Sequence, residues 1–220
     1  KEFNWLLFND AAADYLNWIN FKNSEWEFPI GLFTHGDLGK SSIALSGTLP
    51  ILSIIGKLFF NNSDNFQFYS FWIFLCLYLQ LLFAYLIVYK FTQNFTFSLL
   101  GSLFFLLNPI LFDRIGLHLS LVGQWIILAY FYFRLLDLKF SKFFPTFFVI
   151  CLASLIHFYF LVMLLVIDLI LLIFEAKNKK NSLKFVIKYK LFLFIPLLTL
   201  MYTIGYFSIP LTDTIGFGYG

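Results

Sequence analysis

Charged side chains are scarce in this sequence. Only 12% of its 220 residues are Asp, Glu, Lys or Arg, whereas a soluble domain carries roughly 25%. Apolar residues make up 60% of the chain, and its mean hydropathy is +0.84. Several uncharged runs approach the roughly 20 residues that a helix needs to cross a bilayer. The composition therefore favours a membrane protein over a soluble domain.

Cysteine and recognisable cofactor motifs are also scarce. Cys76 and Cys151 are the only two cysteines, and because both lie in apolar runs, neither a disulfide nor a cysteine metal site is predicted. The three histidines are too scattered for a metal motif. The net charge of +3 is too small to indicate nucleic acid. We therefore predict no nucleic-acid partner and no metal centre of a known pattern.

The apolar runs predict an all-α fold, a polytopic transmembrane helical bundle formed by residues 71–220. Phe71 to Tyr89 is the clearest span, because it contains no charged residue. Later runs are shorter or contain proline, as at Asn108-Pro109 and Pro196, and Pro210 is predicted to end the last helix. Spans are predicted near residues 71–91, 95–112, 117–135, 143–156, 158–176 and 189–208.

Residues 1–70 differ from the rest because they are rich in acidic residues and glycine. They are predicted to form an extracytoplasmic loop region with amphipathic surface helices, one over residues 11–20 and one from about Leu49. The chain starts at Lys1 and ends at Gly220, directly after an apolar segment. We therefore expect a fragment that lacks most of the first helix and the C-terminal part.

The distribution of basic residues predicts the orientation, because cytoplasmic loops are enriched in Lys and Arg. If residues 1–70 face outward, simple alternation puts ten of the 15 Lys and Arg residues inside. Nine of the 12 acids and all three histidines then fall outside. The polar residues with functional potential are therefore predicted to gather at the outer face.

Two carboxylates stand at the start of the first predicted surface helix. Asp10 could be a helix N-cap, or a general base for a hydroxyl at the membrane edge. Asp14 lies one turn later on the same face. It could be solvated, form an acidic pair with Asp10, or bind a divalent cation through oxygen, and it is a candidate substrate-binding residue. No other cofactor is predicted.

A second polar group opens the predicted span 117–135. Arg114, His118 and Trp125 are spaced i, i+4 and i+11, which predicts that they share one helix face. Arg114 and His118 could anchor the helix at the interface or hold a phosphate group. Gln124 lies about a turn deeper, where a buried amide is predicted to bond another helix or a ligand.

Two further polar positions interrupt the later apolar runs. His157 is either a helix break with interfacial aromatics or a second polar wall of the same outward cavity. Asp168 lies in mid-run, so it must face the bundle interior or water. It is predicted to pair with a Lys or a backbone group, or to be protonated. Lys177 to Lys190 is predicted to be a solvated inner loop.

Several short motifs occur in a fixed order along nearly the whole chain. They are Asp10 with Tyr15-Leu-Asn-Trp18, Trp26-Glu-Phe-Pro-Ile-Gly31, Ser42-Ile43 with Leu49-Pro50, Arg114-Ile-Gly-Leu-His118-Leu-Ser-Leu with Gln124-Trp125, and Gly216-Phe-Gly-Tyr219. With these motifs the chain resembles the GT-C superfamily of integral-membrane glycosyltransferases. More closely, it is similar to an uncharacterised bacterial family of GT-C-like membrane proteins.

The resemblance implies transfer of a sugar from a polyprenyl-phosphate donor to a glycan or lipid acceptor of the cell envelope. The reaction would take place at the outer face of the bacterial cytoplasmic membrane. Asp10 matches the first-loop acid that serves as catalytic base, and Arg114 and His118 fall where such proteins approach the lipid phosphate. One departure is Gly47, which stands between Ser46 and Thr48 where an acid is expected.

The residues alone leave a non-enzymatic alternative open, a transporter or a lipid flippase. Such a protein would place polar residues near the middle of the membrane and often show repeated halves. Asp168 and Gln124 are the only deep polar candidates. The two hypotheses therefore predict different locations for the functional residues.

Overall fold

The computed structural model describes residues 6, 9–34, 39–60, 66–135, 143–178 and 183–208. These residues are mostly helical, as the sequence predicted. Their helices are α1 Asn9–Asn23, α2 Pro50–Phe60, α3 Tyr69–Thr92, α4 Phe95–Leu106, α5 Pro109–Gly116, α6 Trp125–Leu135, α7 Phe143–Ile156, α8 Phe158–Asn178 and α9 Leu183–Ile204. The predictions for Pro210 and for Gly216 to Tyr219 lie outside the described residues.

Helix α1 confirms the helix predicted over residues 11–20. Three successive alanines favour helix, and Asp10 in the first turn suits the positive end of the helix dipole. One side of α1 is buried, including Ala11, Asp14, Trp18 and Phe21. Because these residues recur at helical spacing, α1 packs one face inward and exposes the other.

Helix α2 confirms the short helix predicted near Leu49. It begins at Pro50, whose fixed φ and missing N–H suit the first turn. Lys57 is buried and donates hydrogen bonds to Ser24 Oγ at 3.0 Å and to the Glu25 carbonyl at 3.3 Å. These bonds fix α2 to the end of α1. Its Leu58 and Phe59 remain exposed.

A small hairpin connects the N-terminal third of the chain to α9. Strands β1, Leu32–Thr34, and β2, Lys40–Ser42, pair antiparallel. The Ile30 amide donates to the Thr203 carbonyl at 2.9 Å, and Ser42 Oγ donates to the Ile204 carbonyl at 3.3 Å. The hairpin therefore lies against the C-terminal end of α9.

Helix α3 is the one described helix long and apolar enough to cross a membrane by itself. Its apolar window has a mean hydropathy of 2.3, and only 22% of that window is buried. Helices α4 and α5 would form a second span if counted together, but they bend by 42° at a break. Asn108 causes the break, because its side chain accepts from the Ile110 amide and starts a new helix.

The expectation that Arg114, His118 and Trp125 share one helix face is wrong. Helix α5 ends at Gly116, His118 has an extended backbone, and a 3-10 turn follows over Leu119–Val122. Gly116 disfavours helix continuation. The predicted span 117–135 is therefore a turn followed by the shorter helix α6.

The remaining helices pack together, with α6, α7, α8 and α9 in successive contact. Pro196 lies inside α9, as the sequence predicted. The solvated loop predicted for Lys177 to Lys190 is wrong over most of its length, because α8 continues to Asn178 and α9 begins at Leu183. The α9 end returns to α7, where Tyr206 Oη donates to the Ser154 carbonyl at 2.5 Å.

Candidate functional site

Asp10 and His118 are brought together from positions 108 residues apart in the numbering. His118 Nε2 lies 3.2 Å from Asp10 Oδ2. The His118 side chain is 35% exposed and the Asp10 side chain is 50% exposed, so the pair is open to a ligand. The break after α5 makes the contact feasible, because it turns His118 away from the helix and toward α1. Two of the sequence-predicted site residues therefore form one accessible pair.

Asp14 lies one turn after Asp10 but has a different environment. It is only 5% exposed, and its Oδ2 has no hydrogen-bond partner among the described residues. Burial raises the pKa of Asp14 to about 8, and the nearby charge of Asp10 raises it further, while the Leu119 N–H lowers it. The surroundings of Asp14 therefore favour its neutral form, and Asp10 is the more accessible of the two carboxyl groups.

Gly47 explains how the Asp14 carboxyl fits. The residue has a φ of +75°, and a Cβ built there would clash with Asp14 Oδ1. The loop around it is held in place by Asn17 Nδ2, which donates to the Ser46 carbonyl at 3.0 Å. The acid expected at position 47 is missing, but the carboxyl of Asp14 occupies the space into which that side chain would point.

His157 lies at the break between α7 and α8, close to His118. Burial lowers the pKa of His157 to about 4, and the charge of His118 lowers it further. His157 Nδ1 accepts a hydrogen bond from the Tyr159 amide at 3.1 Å. The neutral ring therefore carries its proton on Nε2. The prediction of a helix break at this position is confirmed.

Among the described residues, no hydrogen bond or ion pair joins the side chains of Arg114 and Gln124 to this cluster. Arg114 is half-buried in the last turn of α5, four residues before His118. Neither its guanidinium nor the side-chain amide of Gln124 makes a hydrogen bond or ion pair with another described residue. The described residues also contain no group of three or more His, Cys, Asp or Glu that could hold a metal ion. The roles of Arg114 and Gln124 in ligand binding stay predictions.

A second polar cluster lies between α6, α8 and α9. Asp168 forms an ion pair with Lys190 and accepts a hydrogen bond of 2.5 Å from Tyr130 Oη. The expectation that Asp168 pairs with a Lys is confirmed. The pair lines a mostly apolar cavity of about 280 Å³ between α7, α8 and α9. The sequence indicated a Lys as one of three alternatives, beside a backbone group and protonation, and did not single out Lys190.

The fold and the cluster together define a largely helical protein with an accessible acid–histidine pair where several chain segments meet. The chain belongs to the family described as a domain of unknown function, DUF6311, whose model matches residues 1–220. No curated protein and no solved structure matches the chain.

Proposed function

We propose that this protein is a polytopic membrane glycosyltransferase of the GT-C type. It transfers a sugar from a polyprenyl-phosphate donor to a glycan or lipid acceptor at the outer face of a bacterial cytoplasmic membrane. The observation that carries the proposal is the accessible contact between Asp10 and His118. A carboxylate held by an imidazole at an open surface is suited to general-base catalysis.

Exposed apolar surface supports the membrane part of the proposal. Large hydrophobic side chains on several helices are strongly exposed, including Phe74 at 70%, Phe104 at 82% and Phe192 at 70%. Contact of these side chains with lipid carries no hydrophobic free-energy cost, whereas their exposure to water does. The shorter apolar helices α6 to α9 would cross the bilayer with their ends shielded by protein or the interface.

The meeting of distant segments supports the outer location of the site. Simple alternation puts Asp10, His118, His157 and the end of α9 on one side of the membrane. In the structure His118 contacts Asp10 and lies near His157, and the hairpin contacts the end of α9. A single outward site built from these segments is consistent with both observations.

The proposed reaction assigns one role to each residue. Asp10 takes the proton of the acceptor hydroxyl while the hydroxyl oxygen bonds to the sugar C1. The bond from C1 to the phosphate oxygen breaks, and the lipid phosphate leaves with the electron pair. Nε2 of His118 faces Asp10. The other ring nitrogen of His118, Nδ1, would when protonated act with Arg114 to stabilise the negative charge that develops on the phosphate.

The test uses the full-length protein in membranes with a labelled polyprenyl-phosphate sugar. Asp10→Asn should abolish incorporation of label into the acceptor, because the amide cannot take up the proton. Asp113→Asn is the matched control, since Asp113 is exposed on α5. Unchanged transfer by the Asp10 variant would remove Asp10 from the catalytic role.

The transporter or flippase alternative is favoured by one observation, the Asp168–Lys190 pair beside the cavity. Charged pairs inside a bundle often mark transport pathways. The same labelled lipid, loaded on one side of sealed vesicles, separates the two functions. Movement of intact lipid-linked sugar across the membrane without transfer would support the alternative.

A further inference from the structure

The Asp14 carboxyl is enclosed by three chain segments. Its own helix α1 places it one turn from Asp10, the Gly47 loop covers Oδ1, and the Leu119 amide faces the carboxyl from the 3-10 turn. The turn is itself fixed, because Trp72 Nε1 donates to the Leu119 carbonyl at 2.8 Å. Asp14 therefore touches the backbone that immediately follows His118.

No cation among the described residues compensates a charge at this position. Within the described part of the chain, no Lys, Arg or His forms an ion pair with Asp14. The groups that face it are the Asp10 carboxylate, the Leu119 N–H and Tyr69, whose Oη donates to the Asp14 carbonyl at 2.9 Å. A buried carboxylate without a cation is unfavourable, and a second carboxylate nearby makes it more so.

We propose that Asp14 is a positioning residue that works as a neutral acid, seating α1 against Gly47 and Leu119 so that Asp10 is held at His118. Its carboxyl does not touch substrate, because it is buried. Ionisation would put an uncompensated charge into this contact and loosen it. The link to catalysis rests on the proposed function, whereas the protonation state does not.

The stability of the folded protein should report this state directly. Asp14 has its ordinary pKa of 3.8 when unfolded and about 8 when folded. Between these values only the folded state holds the proton, so its stabilising contribution is complete below pH 3.8 and is lost as pH rises to about 8. Above that pH the contribution no longer changes.

The experiment compares the wild-type protein with Asp14→Asn across pH 5 to pH 9, by thermal unfolding of the full chain in detergent. The isosteric neutral amide cannot ionise, so the Tm of the variant should decline less than that of the wild type up to about pH 8. Asp113→Asn serves as the control and should follow the wild type. Parallel wild-type and Asp14→Asn curves would overturn the proposal.

A second measurement remains valid if the variant folds poorly. The wild-type infrared spectrum at pH 7 should contain the C=O stretch of a buried protonated carboxyl, and that band should shift in Gly47→Ala. Absence of such a band would overturn the proposal.

Transfer assays add a third test, in which the wild type loses activity above about pH 8 and Asp14→Asn loses less. Loss of transfer by this variant at every pH would instead assign the ionised carboxylate a direct role.

These outcomes separate the two proposals. If no transfer is found in the wild type, the glycosyltransferase function fails, while the unfolding curves still decide the state of Asp14. If Asp10→Asn abolishes transfer but the unfolding curves are parallel, the function stands and the positioning role fails.

Discussion

Two aspartates in this protein are equally buried, at 5% exposure each, but they lie in different surroundings. Asp168, between α6, α8 and α9, has a lysine and a tyrosine hydroxyl as partners. Asp14, below the Asp10–His118 pair, has a carboxylate nearby and an oxygen without a partner. The first carboxyl has a cationic partner, and the second has none among the described residues.

The comparison shows that burial alone does not decide what a carboxyl does. A partner of opposite charge within contact distance favours the ionised form, whereas burial and a like charge favour the neutral form. The ion pair at Asp168 suits a region surrounded by apolar helices. A neutral Asp14 leaves Asp10 as the accessible carboxylate at His118, which is what a general base requires.

The strongest test of this difference removes the cation from Asp168. Breaking one side of a buried ion pair typically costs about 3–5 kcal/mol. Because the Lys190 side chain is 23% exposed, we expect Lys190→Met to fall near the lower end. A loss of about 3 kcal/mol corresponds to a decrease in Tm of about 6–12 °C for a chain of this size. Thermal unfolding in detergent measures it.

The double variant Asp168→Asn with Lys190→Met is the control for that experiment. It removes both charges, so most of the lost stability should return, since a buried pair and a neutral replacement are often similar in stability. Equal Tm values for the single and double variants would show that the pairing does not matter. Asp168 would then resemble Asp14 more than the structure indicates.

A smaller effect is expected at the contact that encloses Asp14. Gly47→Ala adds a Cβ that clashes with Asp14 Oδ1 and puts alanine at positive φ. Overpacking of this kind costs about 1–3 kcal/mol, and the positive φ adds backbone strain. Gly39→Ala is the matched control, because Gly39 has a φ of +87° but nothing within 4 Å of an added Cβ.

The difference between these two glycine variants isolates the contact with Asp14. Gly47→Ala should lower the Tm more than Gly39→Ala. The excess should shrink in an Asp14→Ala background, where the carboxyl is gone. If the excess is the same in both backgrounds, Gly47 is constrained by its backbone alone and not by Asp14.

Local patterns in the sequence predicted much of the helical structure, but long-range contacts were beyond them. Helices α1, α2 and α3 follow from residue spacing and hydropathy, and the break at His157 was also predicted. Within the predicted span 117–135 the start of the helix was misplaced, because the apolar run concealed the helix end at Gly116 and the close packing of Gly123, where an added Cβ would lie 3.1 Å from Trp72 and Ile156 atoms.

The candidate site shows the same limit. Orientation predicted that Asp10 and His118 lie on one side of the membrane, but their contact depends on how a break in the chain turns His118. The burial of Asp14 depends on a glycine 33 positions later, which the sequence marked only as a missing acid. A φ of +75° at Gly47 is a property of the folded loop, so no motif contains it.

The smallest effect is expected for the exposed ion pair between Lys40 and Glu27, whose side chains are 62% and 40% exposed. Exposed pairs contribute about 0–1 kcal/mol, so Lys40→Met should change the Tm far less than Lys190→Met. Salt provides the control, because screening acts on exposed charges much more than on buried ones. The effect of Lys40→Met should disappear in high salt while that of Lys190→Met persists. If both effects vanish with salt, solvent ions reach the Asp168–Lys190 pair. Asp168 would then differ from Asp14 only in having a partner of opposite charge.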